Sequence, residues 1–163
     1  MMEKAEIRKR MRELKRAVTP EEKLRRSETV MRGVEQLPEF QRARVVLLYW
    51  SMADEVQTHA FVERWFKEKT LLLPCVDGDD LRLRQYTGPE CMVAGEQFGI
   101  GEPTGEEWKD LDAVECIIVP GVAFDRKNNR MGRGNPVLDG FGLNNCHLDC
   151  LLMPVPCPRP VCG

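Results

Sequence analysis

Two short, unbroken apolar runs constrain this chain more than any other feature. Val45-Val46-Leu47-Leu48-Tyr49-Trp50 and Cys116-Ile117-Ile118-Val119 lack the polar alternation of a half-exposed strand, so they read as strands covered on both faces, as in a parallel sheet. The flanking residues supply the cover. Residues 1–18 put Ile7, Met11, Leu14 and Val18 on one helical face, with Lys and Arg crowding the others. Thr19-Pro20-Glu21-Glu22 then reads as an N-cap, a first-turn proline and a capping-box carboxylate. They open a second helix that turns Leu24, Met31, Val34 and Leu37 inward and is punctuated by Pro38. Thr58 can cap a helix over 59–69 carrying Phe61, Val62, Trp65 and Phe66. Leu71-Leu72-Leu73 is a strand stopped at Pro74, Asp77-Gly78-Asp79-Asp80 is a turn, and Leu81-Arg82-Leu83-Arg84-Gln85-Tyr86 alternates as a half-exposed strand. The order helix, helix, strand, helix, strand, strand, strand predicts a single α/β domain with a mixed sheet.

Charge and length narrow the function classes. A chain of 163 residues can bury a core without covalent staples. A net charge of −2 argues against a large phosphate-backbone footprint, which normally leaves a domain strongly basic, so dedicated nucleic-acid binding is disfavoured. No apolar run approaches the roughly 18 residues of a membrane helix, and the N-terminus is charged where a signal peptide needs an apolar core. A soluble, cytoplasmic monomer is expected, with its seven cysteines held as thiols.

Several segments carry chemistry. Residues 1–44 hold 13 Lys/Arg against 8 Asp/Glu, which is either a solvated helix surface or a patch that faces phosphate. The loop 51–57 follows the first strand, at the end where open α/β sheets bind ligands. Its Glu55 is either a surface carboxylate or a holder of a polar ligand. Arg130-Met131-Gly132-Arg133-Gly134 joins guanidinium groups to glycines that let a backbone come close, which suits phosphate oxygens and also suits a plain turn. The P-loop spacing is absent. His59 and His147 are too far apart to suggest a pair, and no nucleophile elbow is present.

Taken together, Lys4-x-x-x-Arg8, Ser51-Met52-x-Asp54-Glu55-Val56-x-Thr58, Phe98-Gly99-Ile100-x-Glu102-Pro103 and Val119-Pro120-Gly121-Val122-Ala123-Phe124-Asp125 running into Asn129-Arg130-Met131-Gly132-Arg133-Gly134 resemble the 5-formyltetrahydrofolate cyclo-ligase family over about residues 1–134. The resemblance implies a Rossmann-like sheet flanked by helices. It also implies conversion of 5-formyltetrahydrofolate to 5,10-methenyltetrahydrofolate with ATP and Mg2+, releasing ADP and phosphate. The formyl oxygen would be phosphorylated, and ring closure at nitrogen 10 would expel phosphate. Such chemistry rests on positioning and charge neutralisation. Matched residue by residue, Lys4, Arg8, Arg130, Met131, Gly132, Arg133 and Gly134 are implied to bind ATP. Arg133 would also be catalytic, Trp50 and Glu55 would hold the folate, and Asp139 would be the magnesium carboxylate.

Beyond Gly134 the pattern breaks. The family continues with Gly-Tyr-Tyr-Asp, whereas this chain reads Asn135-Pro136-Val137-Leu138-Asp139, and Pro136 removes a backbone donor. Cys146, Cys150, Cys157 and Cys162 crowd the last 18 residues beside Pro154, Pro156, Pro158 and Pro160. Their spacing does not suit zinc. The expected division is therefore a cyclo-ligase-like domain over 1–140 and a divergent, poorly ordered Cys/Pro-rich tail over 141–163, with a shifted reading frame or diverged gene end from about residue 135. Neither the family's next strand nor its His-Asp segment is expected there. The competing function is a catalytically impaired folate- or nucleotide-binding relative.

Overall fold

A computed structural model of the chain describes residues 3–78, 80–95, 101–124, 130–132 and 149–153. The first helix, α1, runs Lys4–Arg16 and buries Met11. Helix α2, Pro20–Gln36, starts where the cap signal puts it, with Thr19 Oγ1 accepting from the Glu22 amide at 3.2 Å. The Glu22 carboxylate binds Arg25 and Arg26 along the helix instead of closing a capping box. Those two guanidiniums hold its pKa down at about 2. The buried line of α2 passes through Ser27, Met31 and Val34, and Lys23 continues it into the first turn. Leu24, expected to point inward, therefore falls to the flank and is 59% exposed. Pro38 ends one helix and begins the next, the five-residue α3, Pro38–Arg42, whose Phe40 is fully buried.

The two apolar runs are neighbouring strands. β1 is Val45–Leu47; helix α4, His59–Trp65, follows it, and then β2, Thr70–Asp77. β3, Asp80–Gln85, returns antiparallel across a turn in which Gly78 takes φ 60°, a conformation that favours glycine. β4, Met92–Ala94, and β5, Gly101–Pro103, form a separate antiparallel ribbon. β6 is Cys116–Pro120. β7, Ala123–Phe124, and β8, Arg130–Met131, form a second small ribbon. β9, Asp149–Met153, completes a sheet of order β3-β2-β1-β6-β9. All its pairings are parallel except β2 with β3, which is the mixed α/β sheet expected.

Several boundaries differ from expectation. β1 ends at Leu47, short of the expected residue 50. β2 runs straight through Pro74, because β1 pairs with it only as far as Leu72. The Tyr86 amide donates to Leu71 O, so alternate residues of β2 face β3, and Pro74 falls on the other side, where no ladder bond needs its amide. The Val76 amide, two residues on, is taken by Glu102 Oε1 at 3.0 Å. α4 stops at Trp65, short of the expected residue 69. β9 lies inside the segment expected to be poorly ordered, parallel to β6 with Cys116 opposite Asp149; the rest of 141–163 lies outside the described residues.

The core forms on both faces of the sheet. Val46, Leu71 and Leu73 join Phe40, Phe61 and Met31 on one side, while Leu47, Leu72, Leu83 and Ile117 pack on the other. Each such side chain contributes about 1.5–3 kcal/mol on removal from water. Cys75, Cys91 and Cys116 are buried, and burial pushes the Cys75 thiol up to about 11. Among the described residues no helix is long and apolar enough to cross a membrane.

Candidate functional site

The chain leaves β1 for β2 on one side of the sheet and, past β6, reaches β9 on the other. The carboxyl ends of β1 and β6 therefore flank a point where strand order reverses, the place where open α/β sheets form a ligand crevice. Loop 51–57 and the β7–β8 ribbon rise from these two ends.

The first loop is braced by its own side chains. Thr58 occupies the N-cap position of α4, as expected, but its side chain makes no capping bond there. Its hydroxyl instead donates to Tyr49 O at 2.8 Å and accepts from the Ser51 amide at 3.1 Å, while the Thr58 amide donates to Ser51 Oγ at 2.9 Å. Tyr49 Oη donates to Val56 O at 2.9 Å. Burial, reinforced by the Glu55 charge, raises the Tyr49 pKa and keeps this phenol a donor. Gln57 Nε2 donates to Met52 O and Glu55 O. Glu55 Oε1 accepts from the Met52 amide at 3.4 Å.

Trp50 stands beside this loop. His59 stacks on its indole with ring centroids 3.8 Å apart and planes 14° apart, and Tyr86 lies 5.7 Å away at 24°. The Ser51 carbonyl accepts from His59 Nε2 at 3.0 Å. Burial lowers the His59 pKa, which keeps the imidazole neutral. A Cβ on Gly101 would come within 2.9 Å of Trp50 Nε1, so glycine there is a steric requirement. His59 stood out in the sequence only as an isolated histidine, and its stacking role had no pattern to reveal it.

The second loop is tied to α1. Arg8 Nε donates to Gly132 O at 3.1 Å across 124 residues of sequence. Arg130 donates to Pro120 O at 3.0 Å, and the Val122 amide to Met131 O at 2.7 Å. Met11 packs with Val122 and Ala123, against Ile7, Leu14 and Met131. Of the expected nucleotide residues, the structure thus brings Arg8, Arg130, Met131 and Gly132 together, with exposed Lys4 one turn before Arg8 on the same helix. Arg133, Gly134 and Asp139, like Phe98, Gly99 and Ile100, lie outside the described residues. Among the described residues no group of three His, Cys, Asp or Glu side chains is placed to hold a metal ion. The described residues therefore do not by themselves make a magnesium site.

Comparison with known proteins gives the architecture a context. A model of the 5-formyltetrahydrofolate cyclo-ligase family matches residues 1–145, past the point at which the motif pattern breaks. A probable 5-formyltetrahydrofolate cyclo-ligase of Schizosaccharomyces pombe is 35% identical over 119 residues, 69% of this chain and 58% of its own length. The 5-formyltetrahydrofolate cyclo-ligase of Mus musculus is 27% identical, covering 88% of this chain and 72% of its own. The chain thus spans about three-fifths to three-quarters of these relatives. The solution structure of Aquifex aeolicus 5,10-methenyltetrahydrofolate synthetase superposes with a TM-score of 0.82 at 34% identity, over 94% of this chain and 78% of that one. Between the family match and this superposition, the chain belongs to the 5-formyltetrahydrofolate cyclo-ligase family.

Proposed function

We propose that the protein converts 5-formyltetrahydrofolate to 5,10-methenyltetrahydrofolate at the expense of ATP. The observation that carries this reading is the bond from Arg8 to Gly132 O, which sets the basic face of α1 against the Arg-Gly segment after β6. Two cationic elements then border one crevice, as a polyphosphate requires. Loop 51–57 offers the Glu55 carboxylate on the other side, suited to the amino-pyrimidine edge of a pterin, with Trp50 beside it.

In this reading Lys4, Arg8, Arg130, Met131, Gly132, Arg133 and Gly134 bind ATP, and Arg133 meets the transferred phosphoryl group. Glu55 and Trp50 orient the folate so that its formyl oxygen faces the γ-phosphate in line, the positioning on which phosphoryl transfer depends. The proposal includes Mg2+ on Asp139, by resemblance, where it would neutralise phosphate charge. A monomer in the cytoplasm completes it. The relatives described above are named as cyclo-ligases or synthetases and lend no support to the impaired-relative reading.

The test follows the absorbance of the methenyl product when the protein is mixed with 5-formyltetrahydrofolate, ATP and magnesium. Turnover that requires ATP is expected. Folate binding without turnover would overturn the catalytic reading, and binding of neither ligand would overturn the assignment altogether.

A further inference from the structure

Lys15 is out of character with its helix. Lys9, Arg10, Arg12 and Arg16 are exposed, whereas Lys15 retains 9% of its accessible surface. A buried ammonium is costly unless it is paired. Lys15 Nζ donates to Asp54 Oδ2 at 3.4 Å, and Asp54 immediately precedes Glu55. From α2, Lys23 Nζ donates to Ala53 O at 2.9 Å. Both residues leading into Glu55 are therefore held from outside the loop by lysines of the two N-terminal helices.

Lys15 also follows Arg8 by seven residues, two helical turns or about 10.5 Å, which puts both on one stripe of α1. Met11 lies between them and packs on Val122 and Ala123. One end of the stripe thus meets the Gly132 carbonyl and the other meets Asp54. We propose that Lys15 is a positioning residue for the folate: through Asp54 it fixes loop 51–57, so that Glu55 is held in register with α1 and the segment after β6. This rests on the folate reading of Glu55 given above. Lys15 is too enclosed to serve as a phosphate contact, so its removal should be felt in folate binding and spare the nucleotide.

Lys15→Met keeps the length of the stem and deletes the charge. Two measurements are made on the full chain: amide hydrogen exchange over 51–57 without ligand, and the KM values for 5-formyltetrahydrofolate and ATP. Exchange in the loop is expected to rise about tenfold, with a similar rise in folate KM and less than a twofold change in ATP KM and kcat. Asp54→Asn is expected to match it, the double variant to be no worse than either single one, and Lys15→Arg to restore most of the loss. Unchanged loop exchange, additive effects of the two substitutions, or equal losses for folate and ATP would overturn the proposal. Raised exchange with an unchanged folate KM would overturn it as well. If the unmodified chain binds no folate while exchange still rises in Lys15→Met, the function assigned to Glu55 fails and the positioning role falls with it, a result separable from the others by its exchange signature.

Discussion

The loops at the ends of β1 and β6 serve one crevice but are held in different ways. The first is built mainly from short-range bonds among Tyr49, Ser51, Val56, Gln57 and Thr58, all within a dozen residues of sequence, with Ser27, Lys23 and Lys15 each adding one bond from α2 and α1. The second relies on main-chain pairing of β7 with β8 and on a guanidinium arriving from α1. A loop of the first kind is largely shaped by its own sequence. The second is also paired locally, through β7 with β8, and the Arg8 bond to Gly132 O adds a tether from α1.

That contrast can be broken at four places. Glu55→Ala has the largest expected effect: loss of a charge-assisted hydrogen bond to the folate, about 2 kcal/mol, should weaken folate binding about 30-fold. Titration calorimetry with folate and then with an ATP analogue checks it, and equal loss of both ligands removes Glu55 from its role. Thr58→Val deletes a buried hydroxyl with two partners and should cost about 2 kcal/mol of stability, a fall in Tm of about 4–8 °C for a domain of this size. A change below one degree would mean that the loop does not depend on its internal bonds. Arg8→Met should raise the KM for ATP about tenfold, equivalent to about 1.4 kcal/mol, with the folate KM held; steady-state kinetics in both substrates decides between the two sides of the crevice.

The smallest effect is on pH. His59 has its pKa lowered by burial below its ordinary 6.5, so the unfolded chain takes up the proton first. The contribution of neutral His59 is therefore complete above pH 6.5 and declines as pH falls through 6.5 toward the lowered folded-state value. Denaturant unfolding at a series of pH values should show that decline, and His59→Asn should flatten it. A slope unchanged by the substitution would assign the acid sensitivity elsewhere.

Burial on both faces made β1 and β6 legible, because a strand covered on both sides reads as a short apolar run without polar alternation. Thr19 was legible for a local reason, since a cap acts within one turn. What could not be read depended on where a neighbour stops or starts. Pro74 looks like a strand terminator until β1 is seen to end its pairing at Leu72. Thr58 has the composition of a cap and serves instead as a brace, because Tyr49 O and the Ser51 amide lie within its reach. Lys15 resembled its solvated neighbours, although its spacing of four from Met11 and seven from Arg8 marks the inward stripe. In the last segment Leu151-Leu152-Met153 lie in β9 through pairing with β6, a partner about thirty residues away in sequence. At the site, the link from Arg8 to Gly132 spans 124 residues and has no local signature.

Gly101 bears on how such a chain can diverge. A methyl group at this position meets the indole nitrogen of Trp50 at 2.9 Å, and the indole is stacked against His59. Alanine at 101 becomes acceptable once residue 50 is smaller, whereas the same change made first forces the stacked pair apart. The two positions are therefore epistatic, and the order in which they are substituted decides whether the intermediate carries a clash at residue 101.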